Sequence, residues 1–143
     1  MEIGEAGIAI IRDYEKLRLV AYKPTPDDVW TCGWGSTKGV TKDTVWTEEE
    51  AEAHFREDVA DVERCLNRRL QGVEITQNQY DAIGSWCFNV GCDAFNNSTL
   101  LVHFLDGEDD LAAKELRRWN KQGGKVLNGL TARRARVEEL FRS

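Results

Sequence analysis

Glu15-Lys16-Leu17-Arg18-Leu19-Val20-Ala21-Tyr22 leads through Lys23-Pro24-Thr25-Pro26-Asp27-Asp28 into Val29-Trp30-Thr31-Cys32-Gly33-Trp34-Gly35-Ser36-Thr37, and this stretch decides the architecture. From Leu17 to Gly35 the residues are β-branched or aromatic, interrupted by a loop with two prolines, which predicts two short strands around a turn. Upstream, Ile3, Gly7, Ile10, Tyr14 and Leu17 recur at helical spacing, so a first amphipathic helix is expected to end near Glu15.

Downstream the pattern is helical. Thr47-Glu48-Glu49-Glu50 is a capping box, and Ala51, Phe55, Val59, Val62, Leu66 and Leu70 continue from it at intervals of three and four, predicting one long helix. Thr76-Gln77-Asn78-Gln79 is a second capping box, opening a helix whose Tyr80, Ile83, Trp86, Cys87 and Val90 are apolar on more than one face, as in the middle of a bundle. Shorter helices are expected at about 98–105, 109–119 and 131–141, separated by Gly107 and by Gly123-Gly124. The fold class is therefore α+β and mostly helical. A single domain, residues 1–143, is expected, with a β lobe at about 16–46, a helical lobe from 1–15 and 47–143, and a ligand cleft between the lobes.

Composition narrows the function. A chain of 143 residues is about one domain and can bury a real core. No run approaches the roughly 18 apolar residues of a membrane span, and Met1-Glu2-Ile3-Gly4-Glu5 lacks the basic start of a signal peptide, so the protein is expected to stay in a cytoplasm until another agent releases it. Cys32, Cys65, Cys87 and Cys92 stand singly, with no C-x-x-C pair, and are read as buried reduced thiols. Two histidines, His54 and His103, supply a zinc peptidase poorly. The net charge of −6 hides an uneven distribution, because nine Lys or Arg against three Asp or Glu in residues 112–143 leave −12 on the rest. The acidic majority argues against nucleic-acid binding. The basic end reads as a solvated helical face or as a contact for an anionic surface.

Glu15 carries the candidate chemistry. At a helix end the partial negative charge of exposed carbonyls disfavours a second anion, which suits a proton donor. Asp28, with its neighbour Asp27, places a second carboxyl on the hairpin, and a proton donor with a separate anionic group is what glycoside hydrolysis requires. Thr31 follows on the second strand, with a hydroxyl able to hold a water.

The whole string is more specific than its spacing. It resembles the signature of the phage T4-type lysozymes, glycoside hydrolase family 24, in which E-G-x-R-L-x-A-Y leads into W-T-I-G-Y-G-H-T. Thr76-Gln77-Asn78-Gln79-Tyr80-Asp81-Ala82, Phe88-Asn89-Val90-Gly91, Ser98-Thr99-Leu100-Leu101, Arg118-Trp119-Asn120-Lys121, Gly123-Gly124-Lys125-Val126-Leu127 and Gly129-Leu130 extend the likeness, in order, over nearly the entire chain. Arg133-Arg134-Ala135-Arg136 fits the usual R-R-x-x-E ending less closely.

The resemblance implies a lysozyme-like fold and a Glu/Asp/Thr set, with Glu15 as proton donor and Thr31 positioning water. The family aspartate usually stands nine residues after the glutamate, where this chain has Pro24, so Asp27 or Asp28 serves from an altered loop, or no aspartate is needed. Lys16 replaces a glycine, and Ser36 replaces a largely structural histidine. Phe88 and Ser98 coincide with cleft-lining positions. Arg133 is either a partner of Glu15 or an exposed basic side chain. Trp30, Trp34, Trp86 and Trp119 are read as core, and Asn89, Asn120 and Gly124 as turn, cap or packing residues.

The activity implied is hydrolysis of the β-1,4 bond between N-acetylmuramic acid and N-acetylglucosamine in bacterial peptidoglycan. The expected actor is a monomeric phage endolysin that needs no metal or cofactor and reaches the wall through a holin-type pore. Three rivals share some of these features. A lytic transglycosylase would cleave the same bond without water, a wall-binding module would keep the shape without chemistry, and a cysteine peptidase would use Cys87 or Cys92 with His103.

Overall fold

The computed structural model describes residues 1–118 and 129–143 with their side chains, and residues 121–122, 125–126 and 128 by backbone alone. The chain forms two compact units, Arg12–Asp61 and Met1–Ile11 with Val62–Ser143. No described helix is long and apolar enough to cross a membrane.

The first unit holds the last turn of helix α1 (Glu5–Glu15), which ends at the expected residue. Strands β1 (Arg18–Tyr22) and β2 (Thr31–Gly33) follow as the antiparallel hairpin. Arg18 pairs with Gly33 and Tyr22 with Thr31, with an irregularity between that bends the pair. The free edge of β1 is covered by the chain near Thr44, since Ala21 N–H donates to Thr44 O at 2.9 Å and Trp46 N–H to Leu19 O at 2.9 Å. Beneath lies a small core of Cys32, Trp46 and Ala51, against which Leu17, Leu19 and Val40 pack. Helix α2 (Glu48–Arg69) opens on the expected capping box, with Glu50 N–H donating to Thr47 Oγ1 and Thr47 N–H to Glu50 Oε1, each at 3.1 Å.

Lys16, directly after α1, has φ of 44° and is the one non-glycine residue in the left-handed region among those described. An L side chain there meets the following carbonyl, and a glycine would not. The glycine usual at this place in the resembled family is thus explained by backbone geometry at the helix exit.

The second unit holds the rest of α2 and helices α3 (Gln77–Val90), α4 (Cys92–Asn96), α5 (Thr99–Leu105), α6 (Asp109–Arg118) and α7 (Asn128–Arg142). Tyr80 to Cys87 of α3 are buried without interruption, the central position its apolar girth predicts. Its Thr76 capping box is complete. Asp81, 2% exposed, accepts from Gly4 N–H at 2.8 Å and from Gln77 Nε2 at 2.7 Å, so a buried carboxylate satisfies the start of α1. Close approach follows at Gly7, where a Cβ would come within 3.1 Å of the Asp81 carbonyl oxygen.

Helix α4 and the two-residue strands β3 (Lys121–Gln122) and β4 (Lys125–Val126) were not anticipated, being too short to carry a periodic signal. Helix α7 begins three residues before its expected start at 131. Trp119, Asn120 and Gly124, for which core, turn or packing roles are expected, lie outside the described residues.

The structure corrects one expectation. The cysteines are not all reduced thiols: Cys65 near the end of α2 and Cys92 at the start of α4 form a disulfide, with Cα atoms 6.2 Å apart, while Cys32 and Cys87 are free and buried. Helix packing brings together two residues 27 apart in sequence, which spacing alone does not show. The basic end is also less available than its charge count suggests. Arg117 pairs with Glu138, Arg118 with Glu115 at 2.6 Å, Lys114 with Asp110 at 3.2 Å, and Arg142 with Asp110 at 2.8 Å and Glu138 at 3.0 Å. These four cations are engaged by acids of the same unit, which weakens the reading as an anionic-surface contact.

Two stability measurements follow. Lys16→Gly relieves the left-handed strain and is expected to raise stability in urea unfolding by about 1 kcal/mol, against a parent-like midpoint if the strain is absent. Cys65→Ala with Cys92→Ala removes a cross-link that restrains the unfolded chain and is expected to lower stability by about 2–4 kcal/mol in the same assay.

Candidate active site

The Arg12–Asp61 unit contains Glu15, Asp27, Asp28 and Thr31 together. Glu15 is half-buried at the last position of α1. Its carboxyl lies against the backbone of Gly35, where a Cβ would come within 2.6 Å of Glu15 Oε2. Gly35 also has φ of 85°, so close approach and backbone conformation both require glycine. The turn that presents it is tight: Cys32 and Ser36 exchange two backbone hydrogen bonds of 2.9 Å across Gly33-Trp34-Gly35.

Ser36, in the place of the family histidine, is 2% exposed and donates to Asp58 Oδ2 at 2.5 Å, tying this turn to α2. Burial pushes the Asp58 carboxyl above its ordinary range, opposed by the Ser36 hydrogen bond and the positive charge of Lys38. The substitution therefore keeps a polar anchor at that corner. Lys38 adds an ion pair with Asp61 one turn further along α2.

Thr31 is 6% exposed, and its hydroxyl donates to Val29 O at 3.1 Å. With its proton spent there, the oxygen's lone pairs can accept from a water. Thr25 to Asp28 form a turn with Pro26 at its second position, closed by Asp28 N–H donating to Thr25 O at 3.0 Å. Thr25 Oγ1 also donates to Asp28 Oδ2 at 3.0 Å, so the exposed Asp28 carboxylate has a defined place.

Tyr22 belongs to the same group of residues and was missed in the sequence, although it closes the Leu17–Tyr22 strand pattern. Its register opposite Thr31 puts both side chains on one face of the hairpin. The Arg18 guanidinium lies 4.1 Å from its ring centroid. Burial raises the Tyr22 phenol above its ordinary value, the charge of Glu15 raises it further, Arg18 opposes, and Asp28 adds to the rise. Tyr22 thus senses the charge of Glu15 and of Asp28.

The remaining expected residues lie in the other unit. Phe88 is half-buried near the end of α3. Ser98 is 5% exposed, accepts from Leu101 N–H at 3.1 Å as the cap of α5, and donates to Phe95 O at 2.7 Å. Arg133 is 4% exposed on α7, which overturns the reading of it as an exposed basic side chain. Its neighbour Arg134 is also buried and donates to Asn89. Of the tryptophans, Trp86 is fully buried and edge-on to Phe95 at 6.5 Å, whereas Trp30 and Trp34 are half-buried and carry cations, Lys23 at 5.3 Å and Arg12 at 4.9 Å. Trp46, in the small core with Cys32 and Ala51, stacks on His54 at 3.9 Å.

The thiols do not fit a nucleophile. Cys92 is in the disulfide, and burial pushes the Cys87 thiol up to about 12, keeping it protonated at neutral pH. His103 pairs with Glu108 at 3.2 Å. A cysteine peptidase is excluded on this chemistry.

A carboxyl seated at a helix end beside a short hairpin, in a chain otherwise helical, is the arrangement of lysozyme-class glycoside hydrolases. Comparison with known proteins gives the narrower assignment: the phage lysozyme profile matches residues 12–137, and the chain belongs to that family. It is 44% identical, over 100% of its length and 99% of the relative's, to an endolysin of Acyrthosiphon pisum secondary endosymbiont phage 1. It is 43% identical to an endolysin of Bacillus phage PZA, again over the whole chain but over 56% of that relative, so the chain spans about half of some relatives it matches. The muramidase domain of SpmX from Asticaccaulis excentricus superposes with a TM-score of 0.87 at 34% identity, covering 99% of this chain and 98% of that one.

The electrostatic links to Tyr22 can be read directly. In an NMR titration of tyrosine-labelled protein, with Tyr22→Phe giving the resonance assignment, Asp28→Asn and Glu15→Gln are each expected to lower the Tyr22 phenol pKa, and Asp27→Asn to lower it less. An equal response to Asp27→Asn would remove the distinction between the two aspartates.

Proposed function

We propose that the chain hydrolyses the β-1,4 bond between N-acetylmuramic acid and N-acetylglucosamine of peptidoglycan, with Glu15 as the general acid. The observation that carries this reading is the Glu15 carboxyl held against Gly35, in the same unit as Thr31 and a pinned Asp28. Glu15 gives its proton to the glycosidic oxygen as the bond to the sugar C1 breaks. A water oriented by Thr31 adds to C1 from the other face and gives up a proton to the second carboxylate. A reducing end remains, and a single displacement of this kind inverts the anomeric centre.

Asp28 is the favoured second carboxylate, because Thr25 fixes it and Tyr22 couples it to the neighbourhood of Glu15. Asp27 is its rival within the same loop. Phe88 and Ser98 are proposed at the substrate, Phe88 through its half-exposed ring and Ser98 through its position at the start of α5. Arg133 is proposed as a supporting cation for the site. The endolysin names of the relatives support a role in lysis of a bacterial host; that the protein works as a monomer after release through a holin-type pore is part of the proposal. Hydrolysis is preferred over lytic transglycosylation because Thr31, with lone pairs available for a water, has no evident use in an intramolecular displacement.

Release of reducing ends from purified peptidoglycan tests the reading. The parent is expected to release them and folded Glu15→Gln to lose at least about 100-fold, the contribution typical of a general acid. Thr31→Ala and Asp28→Asn are expected to fall well below Asp27→Asn. Anhydro-sugar ends would favour the transglycosylase, and no fragments from folded parent would favour a wall-binding module.

A further inference from the structure

Arg12 stands one helical turn before Glu15, and its surroundings exceed what an ordinary surface arginine has. Its guanidinium makes a bidentate pair with Glu52 of α2, Nη1 to Oε2 at 3.0 Å and Nη2 to Oε1 at 2.7 Å. The same group lies over two aromatic rings, 4.9 Å from the centroid of Trp34 and 4.6 Å from that of Phe55. The rings are themselves in tilted contact at 6.1 Å. One planar cation therefore joins the last turn of α1, the tip of the Cys32–Ser36 turn, and α2.

Trp34 is the residue before Gly35, and Gly35 is the surface on which the Glu15 carboxyl rests. Displacing Trp34 from α1 moves that surface away from Glu15. We infer that Arg12 is a positioning residue for Glu15, locking the helix end to the Trp34-Gly35 turn so that the carboxyl keeps one place. The inference rests on the reading of Glu15 as proton donor. Lysine cannot replace Arg12, since an ammonium lacks both the two-pronged fork that matches Glu52 and the flat face that covers the rings. The pairing also holds the Glu52 carboxyl below its usual range, chiefly through the Arg12 hydrogen bonds.

A neighbouring arginine supplies the control. Arg56 reaches the same Glu52 oxygen at 3.5 Å from a side chain 79% exposed, as an i,i+4 pair. It therefore tests the ion pair without the link to the turn.

The experiment measures kcat, KM and the pH profile of kcat on soluble glycan fragments of peptidoglycan for Arg12→Lys, Glu52→Gln and Arg56→Gln, with folded fraction followed by circular dichroism. Arg12→Lys is expected to lower kcat by about 10- to 100-fold with KM within about twofold, as a small displacement of a reacting group does. It is also expected to displace the alkaline limb of the profile. Glu52→Gln is expected to do the same to a smaller degree, because the stacking remains, and it carries the test if Arg12→Lys does not fold. Arg56→Gln is expected to match the parent.

A folded Arg12→Lys with parental kcat and profile overturns the inference. So does a loss that follows the folded fraction alone and leaves the shape of the profile unchanged, the mark of a purely structural role. Active Glu15→Gln overturns the proton-donor reading instead, which keeps the two failures distinct.

Discussion

The Glu15 carboxyl occupies the space that a side chain at position 35 would need. A Cβ at that position would sit 2.6 Å from the carboxyl oxygen, so the end of α1 and the turn after β2 are fitted to each other to within an atom's width. Much of the surrounding unit serves this fit. The two hydrogen bonds between Cys32 and Ser36 fold the turn tightly enough to present Gly35, Ser36 fastens it to Asp58, and Arg12 fastens its tip to α1 and Glu52. Three different kinds of contact, backbone, hydroxyl to carboxylate, and cation over ring, converge on a turn of five residues. Such redundancy is what a carboxyl needs to stay in place when its own helix has just ended and its backbone ladder no longer restrains it.

The parts of this arrangement that were legible in the sequence are the local ones. Both capping boxes announce their helices because the reciprocal bonds involve residues three apart, and both are present as written. The end of α1 and the two strands were likewise readable from period and from the prolines between them. The irregularity in the β1–β2 register was not, and it matters, since it sets Tyr22 opposite Thr31. Alternation along a strand tells which residues share a face, but the partner across the ladder depends on where the extra residues are absorbed. The motif that contains Tyr22 therefore does not by itself reveal its place opposite Thr31.

Relations between distant residues explain most of the other differences. Cys65 and Cys92 belong to different helices, and only the packing of α2 beside α4 makes them neighbours. The cations near the end of the chain look available when counted along the sequence, but Glu138 meets both Arg117 and Arg142, and Asp110 meets Lys114 and Arg142. Arg12 shows the same limit from the opposite side. Its partners lie 22, 40 and 43 positions away, at Trp34, Glu52 and Phe55, and nothing in its own neighbourhood of the sequence marks it.

The displaced aspartate is the sharpest test of how far local chemistry can compensate for a lost motif position. Pro24 occupies the place where the family carries its carboxylate, and the loop answers with Thr25-Pro26-Asp27-Asp28. Proline at 26 sets the backbone angle that a turn requires at its second position, the Asp28 amide closes it onto Thr25, and the Thr25 hydroxyl then reaches the Asp28 carboxylate. An exposed carboxylate ordinarily samples several rotamers, and a hydrogen bond from its own turn reduces that freedom before any sugar arrives. Asp27 occupies the third position of the same turn and receives neither of those bonds. On the proposed reading, in which a water beside Thr31 loses a proton to a group on this loop, the loop's own hydrogen bonding favours Asp28 over Asp27, and it is the turn rather than the strand that holds the carboxylate.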